Sequence, residues 1–445
     1  MIAPPPNLVT RESTPALVRA VGRWGLAALM LNTMIGASIF GLPALIAARL
    51  GNLSPLGYLV GGAAVALVAA CLSEVASQFS DTGGPYLYTR VAFGRFAAIQ
   101  IGWLTWLSRI AATSAVANLF ISYLGTFVPV VVAPIPRAIV LTVLVALLAA
   151  VNYMGVASGS RLSNFFTATK VILLLGFIGA GFAALFSHPA VRVSPAAVHP
   201  TTADWFDAII LMIYAYGGFE AALFMGGESR DPRRDPPFAL FIAIAAAVAL
   251  YFSVQYVVIH TLPDAASSTT PAVDAARRFL GSTGVFLIGV GALLSAYGYL
   301  SANMLHTPRL MFAMGEQGDL PKIFGSVHPR FRSPYFSIML FAIVVLLFAL
   351  KGDFRWNATL AAISRLFVYA GIVGALPVLR RRNPKSGSLR LPAGNIIAGL
   401  ALLVTATLAT RLRIGDIVIM FGTFLIGLLN WLWTRRGVSR PIATF

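Results

Sequence analysis

This chain is short of charge and all but lacks cysteine. Only 11% of its 445 residues are Asp, Glu, Lys or Arg, acidic groups number 15, and Cys71 is the sole cysteine. One thiol excludes an intramolecular disulfide and leaves the redox compartment unreadable. Cys71 itself reads as a small apolar residue within a span. The five histidines are scattered, so no His/Cys/Asp cluster has metal-ligand spacing, and no metal or other cofactor is expected. No glycine-rich phosphate loop opens a helix and no nucleophilic triad is visible, which argues against an ATP-driven motor and a hydrolytic enzyme. Residues 1–23 carry no signal-peptide core, so the first apolar run is expected to stay as a spanning helix.

What the chain has is apolar surface. Hydrophobic residues make up 58% of it and the mean hydropathy is +0.82. A soluble protein of this length needs charged groups to cover its exterior, so the composition predicts an all-α, multi-pass membrane protein. About twelve apolar runs have spanning length, near 22–48, 54–78, 96–125, 136–153, 162–187, 204–227, 236–261, 283–312, 335–350, 357–379, 394–410 and 415–434. Between spans, 262–284 is polar, and its 271–280 stretch has the apolar spacing of a short surface helix.

The 33 basic residues against 15 acidic ones give +18, which in a soluble chain would suggest nucleic acid. Their distribution points elsewhere. With a cytoplasmic N-terminus, Arg230, Arg233, Arg234, Lys322, Arg330, Arg332, Arg380, Arg381, Arg382, Arg435 and Arg436 all fall on the cytoplasmic side. This bias predicts both termini in the cytoplasm and anionic membrane lipids, not nucleic acid, as partners of those charges.

Two spans are interrupted by helix-weakening residues. The first interruption is Ile35-Gly36-Ala37-Ser38-Ile39-Phe40-Gly41-Leu42-Pro43; the second is Tyr214-Ala215-Tyr216-Gly217-Gly218-Phe219-Glu220. Backbone inside a bilayer must satisfy its own hydrogen bonds, so a mid-span break frees peptide groups for a ligand. A pair of such breaks at corresponding places in two halves is the sequence mark of an inverted-repeat transporter. Either break alone could equally reflect small residues that let helices pack closely. A half-helix starting near Ser38 would offer unpaired N–H groups and its positive dipole end to a carboxylate. Carbonyls near Ile35 and Gly36 would suit an ammonium. Tyr214 and Phe219 could wall or gate the site.

Ionisable residues within spans are the next signal, because an unpaired charge there is costly. Lys170 lies deep in the fifth span and needs carbonyls, hydroxyls or an acid from another helix. Glu220 is a candidate gate or proton-linked acid. Glu74, Arg109 and Arg365 read more readily as partners in tertiary ion pairs.

These motifs resemble, over essentially the whole chain, the amino acid–polyamine–organocation superfamily. Ile35-Gly36-Ala37-Ser38-Ile39-Phe40 is similar to its first-helix motif, although Ser38 stands where glycine is usual. Gly83-Gly84-Pro85-Tyr86-Leu87-Tyr88 with Phe93-Gly94 and Gly102-Trp103, the Tyr214–Glu220 motif with Gly227-Glu228, and Gly318-Asp319-Leu320-Pro321 follow in order. The resemblance implies a leucine-transporter-type fold: a first five-helix repeat over 22–187, a second over 204–382, two further helices over 394–434, and tails at 1–21 and 435–445. It implies a carboxylate site on the backbones of Ala37, Ser38 and Ile39 beside Gly36, and an amine site on those of Ile35, Tyr214, Ala215 and Gly217, with Tyr216 and Gly218 adjoining. It also implies that Lys170 stands in for a sodium ion, with Ser295 as its expected eighth-helix contact.

The expected function is a sodium-independent amino acid permease or exchanger of the cytoplasmic membrane, moved by protons or by exchange. A polyamine or organic amine transporter and a non-translocating amino acid sensor are the alternatives.

Overall fold

A computed structural model describes residues 22–36, 38–79, 84–154, 160–219, 234–382 and 389–435. Ala37, Glu220, Glu228, Arg230 and Arg233 lie outside the described residues. The described residues are helical or in connections, with no strand among them.

The first span is two half-helices, α1 (Arg23–Met34) and α2 (Ser38–Leu50). A 3-10 turn at Gly51–Leu53 leads into α3 (Ser54–Ala76), which Pro55 starts from its first turn, where a missing N–H costs nothing. Next come α4 (Gly84–Phe93) and α5 (Arg95–Gly125). Gly94 separates these two with φ of +89°, a backbone region natural to glycine. The short α4 has no counterpart among the predicted spans.

The chain continues through α6 (Pro134–Tyr153), α7 (Ser160–Ser187) and α8 (Thr202–Tyr216). At the start of α8, the Thr201 side chain accepts from the Asp204 N–H while Asp204 accepts from the Thr201 backbone. Four elements follow: α9 (Asp235–Thr261), α10 (Pro271–Glu316), α11 (Tyr335–Lys351) and α12 (Phe354–Arg382). Helix α10 is really two helices, since Gly281 is non-helical at φ 61° and ψ −143°. The predicted surface helix is therefore distinct from the long span that follows it. Helices α13 (Gly394–Ala409) and α14 (Ile414–Thr434) complete the fold.

Among the described residues, eight helical stretches are long and apolar enough to cross a bilayer, and α11 and α13 are shorter apolar helices. With α1 and α2 counted as one span, α3 as its own and α8 added, they make the twelve-segment, all-α arrangement that the apolar runs predict. Burial separates inner from peripheral helices. The apolar window within α5 is 78% buried and that of α12 67%, whereas that of α14 is 17% buried. The two buried helices pack along each other, and α12 also packs against α8. Helix α14 turns Ile414, Phe421 and Trp433 outward, as a lipid-facing helix must.

Candidate substrate site between two broken helices

The first break follows from a helix ladder that stops. The Ile35 N–H donates to Leu31 O at 2.8 Å, completing the last helical bond. Ile35 then leaves the helix at φ −74° and ψ 71°, and the Gly36 N–H folds back onto Met34 O at 2.7 Å in an inverse γ-turn. Asn32 O and Ile35 O are closed by a side chain instead. The Lys170 Nζ donates to both at 2.7 Å. Lys170 is 8% exposed, so these charge-assisted bonds form away from water.

One expectation about this region needs correction. Gly41 and Pro43 do not interrupt the span; both lie within α2. Gly41 gives room for packing, since a Cβ there would sit 2.6 Å from the Phe354 ring and 2.8 Å from Leu119. Pro43 withholds an N–H from Ile39 O without ending the helix; nearby, Gln255 donates to Pro43 O at 3.1 Å and Tyr123 to Phe40 O at 2.8 Å, tying α2 to other helices.

The second break ends α8. Gly217 is extended (φ −66°, ψ 148°) and Gly218 has φ of +117°. Gly218 demands glycine on steric grounds, since a Cβ there would fall 2.5 Å from Thr33 O, a backbone atom; a Cβ on Gly217 would fall 1.2 Å from Arg365 Nη1, the movable end of a long side chain. The breaks touch directly: Thr33 Oγ1 donates to Gly218 O at 3.0 Å.

A third element joins them. The Tyr251 hydroxyl of α9 shares a 2.6 Å hydrogen bond with Ser38 Oγ and donates towards Met34 O at 3.1 Å and Ala215 O at 3.2 Å. The Tyr251 ring is held by Tyr58, stacked at 5.4 Å, and by Tyr216, edge-on at 5.5 Å.

The family model for amino acid permeases matches residues 21–432. The chain belongs to the amino acid permease family. Among similar proteins, the methylthioribose transporter of Bacillus subtilis is 28% identical over 87% of each chain. The branched-chain amino acid permease BcaP of the same organism is 26% identical over 95% of this chain and 94% of its own. Its serine/threonine exchanger SteT is 25% identical over 82% and 84%. Relatives named as permeases, transporters and exchangers, with many apolar helices here, make this a multi-pass membrane protein of a transporter family.

Within this permease, the other predicted site residues are placed as follows. Ile35, Gly36, Ser38 and Ile39 lie at the first break and Ile39 is fully buried. Gly36 has Tyr299 against it, 3.4 Å from where a Cβ would stand. Tyr214 is buried and meets Phe354 edge-on at 6.1 Å. Tyr216 turns away from the gap and donates to Tyr58 O at 2.8 Å. Phe219 is buried with its ring 5.8 Å from that of Tyr369. Ser295 is buried too, but its hydroxyl has no hydrogen-bond partner among the described residues. The expected bond to Lys170 is therefore absent, because the ammonium reaches the carbonyls of α1 instead.

Phe354 also marks a boundary. It lines a cavity of about 740 Å³ with Asn118, Arg137 and Asp353 at the bundle end where α5 stops and α12 begins. The same ring packs against Gly41 of α2 and Tyr214 of α8, so it connects that cavity to both helices. At the opposite end, the Asp319 side chain is fully buried and accepts from Arg90 at 2.9 Å, from Arg95 at 2.5 Å and from Tyr86. Glu74 forms a two-pronged pair with Arg380, both contacts at 2.6 Å.

Sequence reasoning passed over Tyr251, Thr33 and Phe354. A tyrosine within an apolar span was the available signal for the first, since a buried hydroxyl must find a partner.

Proposed function

We propose that this protein is a sodium-independent amino acid transporter of the cytoplasmic membrane, with both termini in the cytoplasm, working by alternating access. The observation that carries this reading is the Lys170 ammonium held at 2.7 Å by Asn32 O and Ile35 O. A free sodium ion at the end of α1 would need those same oxygens, and a tethered cation already uses them. The substrate carboxylate would lie at the first turn of α2, where Ser38 and the following N–H groups carry the positive end of the helix dipole. The amine would take carbonyls freed where α1 and α8 end.

Energy would come from a proton gradient or from exchange. The relatives named for branched-chain amino acids and for serine/threonine exchange support amino acids as the substrate class. Uptake into proteoliposomes tests all of this. The assay would use the twenty L-amino acids, putrescine and methylthioribose, with sodium or pH gradients imposed separately. The expected result is uptake or counterflow of one or a few amino acids, unchanged when sodium is replaced by choline. Strict sodium dependence would overturn the cation assignment. Failure of every amino acid to move would overturn the amino acid reading, and ligand-induced stabilisation without flux would favour a sensor.

A further inference from the structure

The Tyr251 hydroxyl bonds both halves of the first broken helix, at Met34 O and Ser38 Oγ, and the end of α8 at Ala215 O. A phenol has one proton to donate. Shared between two carbonyls, it serves neither fully, and the two bonds are correspondingly long at 3.1 and 3.2 Å; Met34 O also accepts from the Gly36 N–H at 2.7 Å, so the shortfall falls mainly on Ala215 O. With that proton turned to the carbonyls, the 2.6 Å bond to Ser38 must be donated by the serine. Ser38 thus spends its only proton on Tyr251 and has none for a ligand at the start of α2. Both residues are buried, Tyr251 to 1% exposure and Ser38 to 5%, where a poorly served carbonyl is costly.

An ammonium group, with three donors, would serve both carbonyls at once. We infer that the Tyr251 proton stands in for donors of the substrate's amino group and that an α-amino acid reverses the Ser38–Tyr251 hydrogen bond on binding. The ammonium takes Met34 O and Ala215 O. Tyr251 turns its proton to Ser38 Oγ, and Ser38 turns its own to the carboxylate at the first turn of α2. Hydroxyl hydrogens rotate and none is transferred, so no charge changes. The ring stays clamped between Tyr58 and Tyr216 while only the O–H turns. Amine and carboxylate are thereby sensed together by one pair of hydroxyls that spans both breaks. This inference rests on the amino acid reading given above.

The test compares two ligands on the full-length protein in lipid nanodiscs. One is whichever of the twenty L-amino acids most raises the wild-type melting temperature; the other is the carboxylic acid of the same skeleton without the amino group. The readout is the ratio of their dissociation constants, which cancels changes in carboxylate binding. In Tyr251→Phe the empty protein leaves Ala215 O without its donor and Met34 O with the Gly36 N–H alone, so the preference for the amine should rise roughly fivefold. In Ser38→Ala the displaced Tyr251 proton has no acceptor, so the preference should fall by about threefold. The double variant should match Tyr251→Phe alone. An unchanged or lowered preference in Tyr251→Phe, or an unchanged or raised one in Ser38→Ala, would overturn the inference. Should Tyr251→Phe not fold, the sign in Ser38→Ala decides. A wild type that binds no member of the panel defeats the amino acid reading and this inference with it. A wild type that binds, with ratios unmoved by either variant, defeats this inference alone.

Discussion

The Lys170 ammonium sits 2.7 Å from the Ile35 carbonyl, at the residue where the first membrane helix stops. The two positions are 135 residues apart, so α7 closes a gap in the first span. A hydroxyl would satisfy one oxygen; the ammonium satisfies two and brings the charge that a cluster of helix-end carbonyls favours.

Lys170→Ala should therefore remove transport while leaving a folded protein. Two charged hydrogen bonds of about 1.5–3 kcal/mol each are lost, enough for at least about a tenfold fall in uptake. Counterflow in proteoliposomes measures this, with size-exclusion behaviour as the folding control. Uptake at the wild-type level would take Lys170 out of the mechanism.

Gly218→Ala should be worse for stability than a typical helix substitution. Gly218 adopts φ of +117° and its Cβ would strike Thr33 O at 2.5 Å, a backbone atom that cannot swing aside. Strain of at least about 1–3 kcal/mol is expected, seen as a lowered melting temperature and lost uptake. Gly176→Ala, where a Cβ would meet nothing within 4 Å, serves as the control and should be neutral.

Asp319→Ala should cripple folding or assembly. It removes the buried counter-charge of Arg90 and Arg95, leaving Arg90 with Gln317 and Arg95 with the Gly318 and Thr434 carbonyls, and breaking one such pair costs about 3–5 kcal/mol. Asp319→Asn should recover part of the yield of monodisperse protein, because it keeps the Tyr86 contact while losing the charge.

Glu74 and Arg380 should show strong coupling. Glu74 accepts from Arg380 twice and from the Leu391 N–H at 2.9 Å. Glu74→Gln and Arg380→Gln are each expected to lower thermal stability, and the double variant should lose less than the two together. A double-mutant cycle on melting in one detergent would read the coupling, and strict additivity would refute it.

Much of this was legible without coordinates, for identifiable reasons. Apolar run length gave the spans, since a bilayer sets how many residues a helix needs to cross. Gly36 and the Gly217–Gly218 pair located the breaks, because glycine weakens a helix whatever surrounds it. Gly41 and Pro43 misled for the same reason: their local cost is real, but α2 stays helical where it packs on Phe354 and Leu119 and bonds to Tyr123 and Gln255. The Ser295 expectation failed because residue order in a span does not say which carbonyls an ammonium will find nearest.

The sequence by itself determined a charge-poor, many-helix membrane protein with two weakened spans, since solvation and backbone propensity act residue by residue. Only the tertiary structure decided what fills each gap. Arg365 lies against Gly217, and Tyr251 reaches Ser38 across 213 residues of chain. Those pairings depend on how distant helices pack, and no local pattern of residues encodes that.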